Sequence, residues 1–156
     1  MSRSRENLDM IVARLRPILE PRGFETVPGD DGISSGGPFA TIAFARPPLL
    51  IELIVREERL GLPNYQWDGV LAGHDDLVDA LGRYDGTHLA WDHVAWQLVT
   101  TTGEPIVDAL EFDLAAIVLP ALEADPDAFR DAVHAAHRHF QRRLTGPDGP
   151  KRTQIE

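Results

Sequence analysis

The sequence predicts an α+β domain built as a two-layer sandwich, in which an antiparallel sheet carries the N-terminal and C-terminal helices on one face. Three observations predict it. An amphipathic helical pattern opens the chain, turn-punctuated strand patterns follow with no helix between them, and the second half is mostly helical in period.

The first helix is expected from about Ser4, with Leu8, Ile11, Val12, Leu15, Ile18 and Leu19 on one face and Arg5, Asp9, Arg16 and Glu20 away from it. Pro17 removes a backbone donor and disfavours helical geometry at Arg16, so the last turn is expected to be kinked or separate. Gly23 is placed to end the element, because a left-handed cap favours glycine. Phe24 to Val27 then reads as a short strand, ended by Pro28-Gly29-Asp30-Asp31-Gly32. Phe39 to Arg46 alternates, with Ala40, Ile42 and Phe44 on one side, and Pro47-Pro48 breaks it. Leu49 to Arg56 places Leu49, Ile51, Leu53 and Val55 on one face and Leu50 and Ile54 on the other. That two-sided apolar pattern marks a central strand of a sheet of about three to five strands.

In the second half, Asp75 or Asp76 is expected to cap a short helix carrying Leu77, Val78 and Leu81, stopped at Gly82. Thr102-Gly103-Glu104-Pro105 is a helix start, and the helix after it is expected to bury Ile106, Val107, Leu110, Leu114, Ile117, Val118 and Ala121. Asp125-Pro126 starts another, with Phe129, Val133, Ala136, Phe140 and Leu144 as its inner stripe. Residues 88–99 tolerate strand or helix and are read as strand. That reading separates Trp91 and His93 from Trp96, so the three do not share one face. The whole reads as one domain over 1–146 with a disordered tail over 147–156.

Composition narrows the function classes. The chain has 156 residues, 43% hydrophobic and 26% charged, the proportions of a globular domain. It has no cysteine, which excludes disulfides, thiolate metal sites and cysteine nucleophiles and agrees with a reducing, cytoplasmic location. The opening MSRSRENLDM lacks an apolar stretch after its arginines, so no secretory signal is expected. The longest apolar run, Leu49 to Val55, is interrupted by Glu52 and too short to span a bilayer, so no membrane partner is expected. The net charge is -10, and residues 68 to 131 hold 14 acids against Arg83 and Arg130, a local net of -12. Such a middle repels a phosphate backbone and argues against nucleic acid. A solubilising acidic surface also accounts for it.

Four segments invite a chemical reading. Gly32-Ile33-Ser34-Ser35-Gly36 matches the G-x-S-x-G pattern, yet it runs into Gly37-Pro38 and a strand, where that motif needs a strand feeding a helix. It reads as a hairpin loop. Asp131, His134 and His137 lie three apart on one helix and could hold one face of a divalent metal, whereas His139 points elsewhere; a solvated helix face accounts for all of them. Gly73-His74-Asp75-Asp76 contains a His-Asp pair of the kind metal-dependent phosphohydrolases use, for which helix capping is the plainer reading. The segment Leu60 to Asp68 sets Tyr65 and Trp67 beside Gly, Pro and Asn, a pattern of recognition loops and equally of rings covering one end of a sheet.

The order of parts, with the Gly23-Phe24 step and the segment IELIVR…LGLPNY after the N-terminal helix, resembles small bacterial α+β families, some of them immunity-protein-like. That resemblance implies a role in binding a protein partner and carries no catalytic residues, and an acidic surface suits a partner that is basic; no cofactor is expected. The first functional expectation is therefore a non-enzymatic interaction domain presenting Tyr65, Trp67, Asp75, Asp76 and Asp79. The alternatives are a metal-dependent hydrolase using Asp131, His134 and His137 or the His74-Asp75 pair, and a structural subunit of a homo-oligomer.

Overall fold

A computed structural model of the chain describes residues 3–35, 37–56, 59–61, 63–82 and 104–145. The readings of 88–99 and of the tail lie outside them. Helix α1 (Arg3–Leu19) buries the apolar stripe read from its sequence, with Leu8, Leu15 and Leu19 fully enclosed. The break expected at Pro17 comes after Leu19, where the chain tightens into a 3-10 turn over Glu20–Arg22. Gly23, at φ 88°, closes that turn with Gly23 N–H to Glu20 O at 3.0 Å and Phe24 N–H to Leu19 O at 3.3 Å.

Strands β1 (Glu25–Ser34), β2 (Gly37–Arg46) and β3 (Leu49–Arg56) form an antiparallel meander. β1 is longer than the sequence suggests. Its Pro-Gly-Asp-Asp run does not end the strand; the register shifts between Pro28 and Asp31 and pairing resumes to Ser34. Thr41 holds that bulge, its hydroxyl accepting from Asp30 N–H at 2.9 Å. The connection from β2 to β3 is Pro47-Pro48, joined by a cis peptide bond.

Three further strands follow, β4 (Arg59–Leu60), β5 (Asn64–Trp67) and β6 (Val70–Gly73). The sheet runs β1-β2-β3-β5-β6, with β4 beside β3, so β3 is central as its two-sided pattern predicts. Helix α2 (His74–Ala80) leaves β6 directly. Helices α3 (Glu104–Asp113) and α4 (Leu119–Ala124) are joined by a π-helical turn over Leu114–Val118, and α5 (Pro126–Thr145) closes the described chain.

The core lies between one sheet face and the helices. Ala40, Ile42, Phe44, Ile51, Leu53, Val55, Tyr65 and Ala72 form a single apolar cluster with the inner faces of α1, α3, α4 and α5. Helix α1 packs on β2 and β3, and α5 on β5 and β6. The result is the α+β layering that the sequence predicts. Among the described residues no helix is long and apolar enough to cross a membrane.

Candidate functional site

The hairpin β5–β6 turns on Asp68-Gly69, both at positive φ, 48° and 85°. Such a pair matches the right-handed twist of the flanking strands and fixes a two-residue turn with Trp67 opposite Val70. Alternation from that turn sends Tyr65 and Trp67 to the core face. The residues expected in a surface recognition loop are therefore strand residues. Tyr65 is fully buried and Trp67 is 9% exposed, packed on Phe129 of α5 with ring centroids 5.9 Å apart. Both rings join the apolar core cluster, where burying so large a surface stabilises the fold.

Tyr65 reaches a polar chain that the sequence did not disclose. Its hydroxyl lies 2.8 Å from His74 Nδ1, and His74 Nε2 lies 2.8 Å from Asp113 Oδ2. All three residues have zero exposure. Each comes from a different element: the centre of β5, the first residue of α2 and the last of α3. The rings of Tyr65 and His74 are nearly parallel, with centroids 5.7 Å apart at 23°. In the tautomer that satisfies all three groups, Nε2–H donates to Asp113 Oδ2 and Nδ1 accepts from the Tyr65 O–H. Burial pushes the Tyr65 phenol well above its ordinary range, and the charge of Asp113 adds to the effect.

Asp113 sits where α3 widens into the π turn, and Leu119 N–H bonds to Leu114 O across it. Insertions of this kind concentrate at functional positions. Here Asp113 and Leu114 both face inward while Phe112 is left 52% exposed. A tyrosine–imidazole–carboxylate chain can order protons along its length. With no surface on any of its three members, it acts by fixing β5, α2 and α3 to one another.

A second set of polar contacts holds α5. His137 Nδ1 meets Leu71 O at 2.8 Å, and His139 Nδ1 meets Asp76 Oδ1 at 3.0 Å. These contacts separate the residues read together in the sequence. His137 turns to the edge of β6, while Asp131 and His134 are exposed. Among the described residues no group of three or more His, Asp or Glu side chains converges as metal ligands would. The His74-Asp75 pair is likewise split, because His74 enters the core while Asp75 is half-buried with one carboxylate oxygen enclosed. The N-cap of α2 is Gly73, with no side-chain capping bond, so the capping role expected for Asp75 or Asp76 is not taken up. Asp76 is 9% exposed and committed to His139, whereas Asp79 is exposed.

Ser34 of the G-x-S-x-G match lies at the β1–β2 hairpin tip, as the sequence predicts. Its hydroxyl accepts from Arg56 Nη1 at 2.8 Å. Comparison with protein-family models, with curated proteins and with solved structures found no match.

Proposed function

We propose that the protein is a non-enzymatic interaction domain that engages a basic protein partner, in the manner the immunity-like resemblance implies. The observation that carries this reading is the charge on α2. Asp75 and Asp79 stand one helical turn apart, Asp79 fully at the surface, within the 68–131 stretch of net charge -12. Apposed charge of this kind raises the encounter rate and selects against wrong partners more than it sets affinity. The buried Tyr65–His74–Asp113 chain supports the reading indirectly, because it anchors the first residue of α2 and so holds that helix in place.

The test is affinity capture from host lysate at low and moderate salt, with mass spectrometry of what is retained, repeated for Asp75→Lys/Asp79→Lys. A stoichiometric partner lost on charge reversal, with the far-ultraviolet spectrum unchanged, is the expected outcome. Retention of that partner by the reversed variant, or no specific partner for the unaltered chain, overturns the proposal.

A further inference from the structure

Zero exposure keeps substrates away from Tyr65, His74 and Asp113. It does not keep electrons away, because an electron crosses a protein shell that no molecule can enter. The three groups are arranged for that one chemistry. A phenol gives up an electron readily only if its proton leaves too, since the alternative is a phenol radical cation, a charge that burial penalises. At Tyr65 no surface is open for water to take the proton. His74 Nδ1 can take it, 2.8 Å from the hydroxyl along a hydrogen bond already made.

The charge on the far side of the ring favours the same step. Before it, phenol, neutral imidazole and carboxylate carry a single negative charge between them. After it, a neutral phenoxyl radical and an imidazolium–carboxylate pair carry none. The imidazolium is held by Asp113 Oδ2 at 2.8 Å, the geometry of a charge-assisted hydrogen bond. Burial and the Asp113 charge push the Tyr65 phenol up because they disfavour a phenolate, and the same negative charge favours withdrawal of an electron. Trp67 follows on the same face of β5, about 6.8 Å along the strand. It is 9% exposed, which puts a second oxidisable ring nearer the surface.

We propose that Tyr65 is a proton-coupled redox site. A one-electron oxidant at the surface, a radical or a high-valent metal complex, takes one electron from the phenol ring and is itself reduced by one. The Tyr65 O–H bond breaks as the electron leaves, and its proton forms an N–H bond at His74 Nδ1. His74 receives the proton and Asp113 holds the resulting imidazolium; neither is oxidised. This role goes beyond the partner surface on α2, and no partner enters its test.

The test oxidises the purified chain with flash-generated tris(bipyridine)ruthenium(III) and follows the product by electron paramagnetic resonance and transient absorption. Tyr84, the other of the two tyrosines, lies outside the described residues. The measurement is therefore made on Tyr84→Phe, in which Tyr65 is the one tyrosine left. A neutral tyrosyl radical is expected, told from a tryptophan radical by its spectrum. It forms more slowly in deuterium oxide, because an O–H bond breaks as the electron leaves. Its rate of formation is expected to stay level from about pH 7 to about pH 9, below the ordinary range of a phenol, because the proton goes to His74 and not to solvent. Adding Asp113→Asn removes the charge that holds the imidazolium and is expected to lower the radical yield by about tenfold, the least that a neighbouring opposite charge does to a titrating group. A cooperative melt above the working temperature shows that each variant is folded. No tyrosyl radical from the folded Tyr84→Phe chain, a rate that climbs with pH or with buffer base, or a yield indifferent to Asp113→Asn overturns the proposal. The first two outcomes rest on Tyr84→Phe alone, so they do not depend on a variant that alters the buried chain.

Discussion

His74 Nε2 lies 2.8 Å from Asp113 Oδ2 with neither residue exposed, so the contact closes the space between α2 and α3 out of reach of water. Removing one partner strips the other polar group of a fully buried, charge-assisted bond, which costs far more than the pair contributes. His74→Ala is expected to lower unfolding stability by about 3–5 kcal/mol, the range for a broken buried pair. Asp113→Asn keeps the shape and one acceptor and is expected to cost less. Urea unfolding followed by circular dichroism checks both, and equal losses for the two variants would show that the pair is not what holds α2 to α3.

Tyr65 gives the same chain a pH signature. Its folded-state value lies above the unfolded value of about 10, because burial and Asp113 disfavour the phenolate. The folded state therefore holds the tyrosine proton more tightly than the unfolded state does. The stability this supplies is complete below about pH 10 and is lost progressively as pH rises beyond it. Tyr65→Phe is expected to cost about 1–3 kcal/mol at neutral pH by removing the buried Tyr65–His74 hydrogen bond. The same variant is expected to lose less stability than the unaltered chain between neutrality and pH 11, measured by urea midpoints across that range. An identical alkaline decline in the two proteins would assign the effect to other groups.

The sequence disclosed the layers better than the site. The stripes of α1 and α5 and the alternation in β2 and β3 are local patterns, and burial follows them at Leu8, Leu15, Phe44, Ile51, Phe129 and Val133. Chain breaks at Gly23 and Gly82 follow from backbone geometry, both glycines having positive φ. The Asp68-Gly69 pair between NYQW and VLAG is a hairpin signal that the reading of Leu60 to Asp68 as a loop passed over. Two features were not legible. Tyr65 and His74 lie 9 residues apart, but Asp113 lies 39 beyond His74 and meets them only through the packing of α2 and α3 on the sheet. The π turn after Asp113 interrupts a pattern, Val107 to Val118, that is continuous with an ordinary helix in the sequence.

β1 shows tertiary pairing overriding turn chemistry. A Cβ added at Gly29 would stand 2.3 Å from Thr41 O, so the bulge needs the bare backbone there. Gly29→Ala is expected to shift the Asp30–Thr41 contacts and cost about 1–3 kcal/mol, the range for forced overpacking. Gly32→Ala is its control, because there the nearest atoms belong to the Phe39 ring at 3.7 Å, ordinary contact. Thermal melts of the two variants compare them directly, and equal midpoints would mean that the bulge relaxes around the added methyl.

The start of α5 rests on one side chain. Asp125 Oδ1 accepts from Ala128 N–H at 3.1 Å, and Asp125 O accepts from Phe129 N–H at 3.0 Å, which sets the register that carries Phe129 onto Trp67. Losing a side-chain cap costs about 1 kcal/mol, and the negative charge beside the helix N-terminus adds a few tenths. Asp125→Ala is expected to lower stability by about 1 kcal/mol, and Asp125→Ser to recover most of it by restoring an oxygen at the same position. If serine recovered nothing, the contribution of Asp125 would be its charge rather than its cap. The salt dependence of the unaltered chain's stability would then carry the difference, since a charge effect at an exposed helix end is screened and a capping bond is not.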